Sequence, residues 1–140
     1  MFTKYYLRHR LLFLINILAI VPLGYVVRFS HILPEFISDA GGGIAYELFW
    51  ILLVLTIAPR ANIRMTVIFV CLATCAIEFL QLYQPPWLQA IRATLPGRLI
   101  LGTTFAWSDF PPYFIGSALG LLWAYYLDRV ATGDSGVSSR

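Results

Sequence analysis

The sequence predicts an all-α membrane protein: four transmembrane helices in a compact bundle, N-in/C-in, with an interfacial or re-entrant segment between helices 3 and 4. Three observations predict it. Hydrophobic residues make up 59% of the chain and charged residues only 12%, with a mean hydropathy of +0.75. Soluble domains carry about 25% charged residues, and a domain of 140 residues has too much surface to hide this apolar excess from water. The apolar residues gather into four stretches, about 11–27, 43–58, 65–83 and 110–127. Finally, the basic residues between the stretches fall mainly on one side of the implied membrane.

Each stretch has roughly 16–19 residues, which at about 1.5 Å per residue spans roughly 24–29 Å. That is near the short end for a hydrocarbon core of about 30 Å. The first, from Leu11 to Val27, carries no charge, is longer than a signal-peptide core, lacks a small-x-small site and is followed by Arg28. It reads as an uncleaved anchor, kinked near Pro22 and Gly24, with the lone amide of Asn16 bonded to a neighbouring helix. Gly41, Gly42 and Gly43 lead into the second stretch and read as a flexible entry, with Glu47 inside it. The third stretch holds Cys71, Cys75 and Glu78. Two cysteines four apart on one helix face are free thiols, too few for a zinc site.

The fourth stretch follows Ser108 and Asp109, either of which is positioned to cap it, with Pro111 and Pro112 in the first turn. Gly116, Gly120 and Ala124 recur at spacing four and form a helix-packing face, within the bundle or across a homo-oligomer. The connection from Gln84 to Ser108 is too apolar to float in water. Trp87, Leu88, Ile91 and Leu95 fall at helical spacing, giving a short interfacial helix with Trp87 at the headgroup level. After a break at Pro96–Gly97, residues 98–107 dip back toward the bundle, which is allowed only where protein covers the backbone. Residues 1–130 form one domain and 131–140 a short polar cytoplasmic tail.

With the N-terminus inside, Lys4, Arg8, Arg10, Arg60, Arg64, Arg129 and Arg140 lie on the inner side, against Arg28, Arg92 and Arg98 outside. Five of the seven acids, Glu35, Asp39, Glu47, Glu78 and Asp109, fall toward the outer side. The net charge of +3 is thus a membrane-orientation signal, and no nucleic-acid partner is implied. The location is a multi-pass cell membrane protein, in the bacterial inner membrane, with both termini cytoplasmic.

The polar residues inside the apolar stretches need a reason. An ionised carboxylate at bilayer depth costs about 2.5–3.5 kcal/mol at the centre on insertion scales. Thr74, Cys75, Glu78 and Gln81 form one stripe on the third helix that must face the bundle. Glu78 is either half of an ion pair with Arg28, Arg92 or Arg98, or part of a functional site; Glu47 leans to the structural role. The functional version gathers Glu78, Gln81, Arg92, Arg98, Asp109, Glu47 and Arg28 into an outward polar pocket, its arginines suited to phosphate or carboxylate. No metal or cofactor is indicated: His9 and His31 fall on opposite sides of the membrane, and Gly133-Asp134-Ser135-Gly136 lies in a tail without a triad.

A resemblance supports the same residues. Glu78-x-x-Gln81-Leu82-Tyr83-Gln84, Trp87, Ile91-Arg92, Leu101-Gly102, Phe105, Ser108-Asp109 and Tyr113-x-x-Gly116 occur here in order, with Arg8–Arg10 and Gly24…Arg28 at the first helix. In these the chain resembles a small bacterial membrane family without assigned activity, domain of unknown function 2809. That family is in turn similar to the VanZ-like proteins, whose founding member is associated with glycopeptide resistance. Glu78, Gln81, Asp109, Gly116 and Gly120 match their shared order. The long stretch from Gln81 to Asp109 and the missing asparagine after it depart from that pattern, so no resistance role is implied.

Three functions are compatible with these residues. The first is binding of membrane lipids or a lipid-linked envelope component in the outer pocket. The second is an intramembrane enzyme acting on a lipid-linked or phosphorylated substrate, with Glu78 as general base. The third is a small oligomeric transporter, which four short helices could form only by association.

Overall fold

We describe residues 2–133 of the protein from a computed structural model. The described residues form six helices: α1 (Phe2–Phe29), α2 (Glu35–Ile57), α3 (Ile63–Leu80), α4 (Pro86–Ala93), α5 (Leu95–Leu101) and α6 (Phe110–Thr132), the last entered through a 3₁₀ turn at Trp107–Asp109. No strand occurs among the described residues. α1, α2 and α3 are each long and apolar enough to cross a membrane. α6 is as long as α2, about 34 Å for its 23 residues, but its prolines and tyrosines make it less apolar. The chain is an all-helical, multi-pass membrane protein.

α2 and α6 form the centre. α2 packs against α1, α3 and α6, and α6 packs against all three of the other long helices. The shared core is built from Phe13 and Ile17 of α1, Ile51, Leu52 and Leu55 of α2, Val67 and Val70 of α3, and Ala124 and Leu127 of α6. The opposite faces expose Leu14, Leu18, Phe69, Leu72, Ile115 and Leu122, as expected where lipid tails replace water. Between the long helices, polar atoms find specific partners. Asn16 Oδ1 accepts from Trp123 Nε1 of α6 at 3.0 Å, meeting the cross-helix bond expected of this lone amide.

The helix ends depart from the sequence expectation for identifiable reasons. α1 starts at Phe2 instead of Leu11 because its charged first turns pack against α6. Tyr5 donates to Asp128 at 2.6 Å, and His9 is buried and stacked on Phe13. α1 also runs unbroken through Pro22. α2 starts at Glu35, and the triple glycine lies inside it. These glycines are packing surfaces: a Cβ on Gly41 would lie 2.6 Å from Val27 Cγ1, one on Gly42 3.0 Å from Arg28 Cδ, and one on Gly43 2.9 Å from Pro112 Cβ. Gly24 does the same from α1, where a Cβ would meet Ala45 at 2.7 Å. The bare backbones let α1 and α6 close on α2.

α3 begins at Ile63 because Asn62 caps it, its Oδ1 accepting from Met65 N–H at 3.1 Å. α6 continues to Thr132, so the first residues assigned to the tail are helical, and Ala131 is buried. It stops at Gly133, whose φ of 64° is the left-handed conformation favoured at helix ends. The rest of the expected tail lies outside the described residues. Cys71 and Cys75 are free thiols.

The small-residue face of α6 is used within the chain. Gly116 sits against α2, where a Cβ would lie 2.8 Å from Glu47 Cβ and 3.2 Å from the backbone of Ile44. A Cβ on Gly120 would meet chiefly Ile51 Cδ1, at 2.6 Å, and Ala124 is fully buried. Side-chain tips yield and backbone does not. Gly116→Ala is therefore expected to cost about 1–3 kcal/mol of overpacking, lowering the melting temperature in detergent by several degrees. Gly120→Ala should come closer to neutral, and equal losses would refute this difference.

Candidate functional site

The site is built where α1 ends, α2 begins and α3 gives way to the connection into α6. Ser38 of α2 ties the first two together, its Oγ donating to the carbonyls of Val27 (2.7 Å) and Arg28 (2.9 Å) at the unsatisfied end of α1. Arg28 in turn pairs with Asp39 of α2. The expected interfacial segment is two short helices. α4 buries Leu88 and Arg92 and leaves Trp87 61% exposed. The break comes at Thr94 and not at Pro96–Gly97: Thr94 caps α5, accepting from Gly97 N–H at 3.2 Å, and Pro96 sits in the first turn where its missing N–H costs nothing.

After α5 the chain returns to the bundle. Gly102 turns with a φ of 67°, and its bare Cα lies against the Gln81 amide, which a Cβ would overlap. Phe105 and Trp107 then stack with Phe79 and Phe110, centroids 5.0–6.1 Å apart, fastening the returning strand of backbone to α3 and α6. This places Ala106 N–H 2.9 Å from Glu78 Oε1.

Glu78 is completely buried and forms the hub. Its Oε2 accepts from Gln81 Nε2 at 3.0 Å and from the Tyr113 hydroxyl at 3.1 Å. None of Arg28, Arg92 and Arg98 forms an ion pair with it among the described residues. Arg92 is buried but serves the backbone: its guanidinium donates to Leu80 O (2.9 Å) and Tyr83 O (3.0 Å), capping the end of α3 and holding α4 beneath it. Arg98 is exposed on α5. Deeper in the bundle, Glu47 is also fully buried, and its Oε1 accepts from Ser117 at 2.8 Å.

Beside Glu78 opens a cleft of about 500 Å³, lined by Arg28, Asp39, Tyr46, Gln81, Asp109 and Tyr113 together with Glu35 and, from the returning connection, residues including Thr104 and Ser108. Of the residues singled out from sequence, the structure therefore brings together Arg28, Gln81 and Asp109 in the wall and Glu78 behind it. Glu47 lies below, and Arg92 and Arg98 stand apart. Asp109 does not cap α6, contrary to expectation. A cap would accept from the N–H of the second or third helical residue, and those residues are Pro111 and Pro112, which have none. Its carboxyl instead lines the cleft beside that of Glu78. Burial pushes its pKa up, the nearby Glu78 charge adds to this, and Arg28 opposes it.

Tyr46, Ala106 and Ser117 escaped the sequence reading, and Tyr113 entered it only through the resemblance. Asp109 at the entry to α6 and Tyr113 and Ser117 on it follow at spacing four, Tyr113 bonding Glu78 and Ser117 bonding Glu47, and that polar stripe was the available signal. Ala106 acts through its backbone and left no mark in the sequence. His9 and His31 are far apart on the chain, and no cluster suited to a metal exists among the described residues.

A family model described as a protein of unknown function (DUF2809) matches residues 32–117, from the loop before α2 through Gly116 and Ser117 of α6. No solved structure matches the chain.

Two substitutions test this architecture. Arg92→Ala should remove two charge-assisted bonds, each worth about 1.5–3 kcal/mol, and make residues 84–94 susceptible to limited proteolysis; unchanged resistance would refute the capping role. Glu78→Leu strands three donors at about 1–3 kcal/mol each, so it should accumulate poorly and melt well below the wild type. A normal melting temperature would contradict the role of Glu78 as hub.

Proposed function

We propose that this chain, which belongs to the DUF2809 family of proteins of unknown function, binds the polar part of a lipid or cell-envelope component in the cleft beside Glu78. The observation that carries this reading is Gln81. Its side chain is 5% exposed and lines the cleft, and Oε1 has no hydrogen-bond partner. Buried polar atoms are usually paired; Glu47 Oε2 and Arg92 Nε are unpaired here too, but Gln81 lines a cleft of about 500 Å³, where a turn of its amide would offer Oε1 to a ligand. The volume lies within the usual range of small-molecule sites, about 300–1,000 Å³.

In this reading α6 is a fourth crossing and both ends of the chain are cytoplasmic. The cleft then opens on the outer face of a bacterial inner membrane, consistent with a distant VanZ-like relationship. The basic residues support the orientation: Lys4, Arg8, Arg10, Arg60, Arg64 and Arg129 all belong to the opposite end of the helices. The cleft lies beside the interfacial helices, where a lipid headgroup can reach it from the bilayer. An enzymatic role with Glu78 as general base is less favoured, because both its oxygens already accept bonds from within the chain.

Wild-type protein released from nanodiscs into native mass spectrometry should carry a discrete bound molecule that Gln81→Leu loses; because Gln81 also donates to Glu78, Asp109→Asn in the same wall is the second variant and should lose it as well. Equally folded, equally empty proteins would overturn the reading. For the threading, reporter fusions should be cytoplasmic after Pro59 and external after Gln84; an external signal at Pro59 would reverse the orientation.

A further inference from the structure

We infer that the end of the bundle opposite the cleft carries a second site, a basic basin that binds the phosphate of an anionic phospholipid through Arg10 and Arg60. The basin shares no lining residue with the cleft, so it stands apart from the function proposed above.

The basin forms where the end of α2 meets the first turns of α1. Tyr6 and Arg10 are four apart on α1 and share one face of it. Residues 57–60 supply the rest of the wall, enclosing about 470 Å³. Arg60 is held in place: its Nε donates to the Tyr6 hydroxyl at 3.0 Å, and its guanidinium carbon lies 5.0 Å from the centre of the Tyr6 ring. Both terminal nitrogens of Arg60 are left without a partner among the described residues, a pre-oriented fork suited to phosphate oxygens. Arg10 is committed still less. Its one hydrogen bond among the described residues, from Nη2 to Ile57 O, is 3.5 Å long, outside the usual range of about 2.7–3.2 Å.

Two arginines on one cavity repel each other unless an anion joins them, and no carboxylate among the described residues does so. The ion pairs there are His9 with Asp128 and Arg28 with Asp39. Asp128, the one acid among the described residues at this end, is held by Tyr5 and His9 and does not line the cavity. The open carbonyls at the end of α2 attract a cation, which accounts for the approach of Arg10 but not for the mounting of Arg60 on Tyr6. The surroundings fit a lipid source for the phosphate. Ile57, in the wall itself, is 68% exposed, and Leu7, Leu11, Leu14 and Leu18 make an exposed apolar stripe along α1 from the same turns. An acyl chain beside the phosphate has that surface to lie on. A zwitterionic headgroup would bring an ammonium beside two unpaired arginines, so an anionic headgroup is favoured.

The test uses the full chain in phosphatidylcholine nanodiscs doped with phosphatidylglycerol, read by native mass spectrometry. A second arm adds soluble glycerol phosphate to undoped nanodiscs. Phosphatidylglycerol should be retained at least about tenfold over phosphatidylcholine, a difference of about 1.4 kcal/mol. Arg10→Gln and Arg60→Gln should each lower that preference about threefold, and the double variant should bring it to about parity. Both side chains are exposed, so the variants should melt with the wild type in undoped nanodiscs. Arg60→Lys keeps the charge, loses the fork and should also lower the preference. Arg129→Gln removes the same charge from the same end but outside the cavity, and should leave the preference unchanged. An equal loss in Arg129→Gln would reduce the effect to general surface charge and overturn the site. Equal retention of the two lipids, or a preference that survives the double variant, would overturn it as well. Retention of glycerol phosphate without any preference for phosphatidylglycerol would give the cavity to a soluble phosphate and overturn the lipid assignment. The cleft at the other end is untouched by each of these outcomes.

Discussion

A carboxylate buried in an apolar bundle has to be satisfied, and the end of this molecule that carries the cleft is organised around satisfying one. Glu78 draws its donors from three separate places: the turn that ends α3, the backbone that returns after α5, and the first turns of α6. Those places, at residues 81, 106 and 113, meet here, and the ring cluster of Phe79, Phe105, Trp107 and Phe110 holds them together from the other side. The cost of an unpaired charge in the bilayer is high enough that the connection between α3 and α6 cannot wander. The backbone that returns after α5 is held for the complementary reason: Ala106 N–H has Glu78 against it. One side chain thus solves the solvation problem of the loop, and the loop solves that of the side chain.

Much of this was legible beforehand, and the limits were physical. The all-helical class, the helical connection after Gln84, the close packing at Gly116, Gly120 and Ala124, and the burial of Glu78 and Gln81 all follow from periodicity and from the cost of burying polar atoms. Helix ends were less legible because charge was taken as a boundary. In α1 the turns around Tyr5 and His9 are polar yet packed on α6, so the helix continues past the apolar run. Gly41–Gly43 look like a hinge by composition and act as contact surface, a difference that depends on what lies opposite.

The partners of Glu78 were the least legible. An arginine was the natural counter-ion, with Arg28, Arg92 and Arg98 as the candidates. The actual donors are a neutral amide, a phenol and a main-chain N–H, the last invisible to any reading of side chains. Arg92 is instead drawn to the open carbonyls at the end of α3, a demand that every helix end makes and that composition does not announce.

The two prolines that open α6 have a consequence beyond releasing Asp109. A helix start ordinarily presents free N–H groups and the positive pole of its macrodipole, a ready seat for anions. With Pro111 and Pro112 at the second and third helical positions, two of those N–H groups are missing, and an aspartate stands where an anion would approach. Of the two long helices that begin at the cleft, α2 and α6, the second is therefore disarmed as an anion seat by its own backbone.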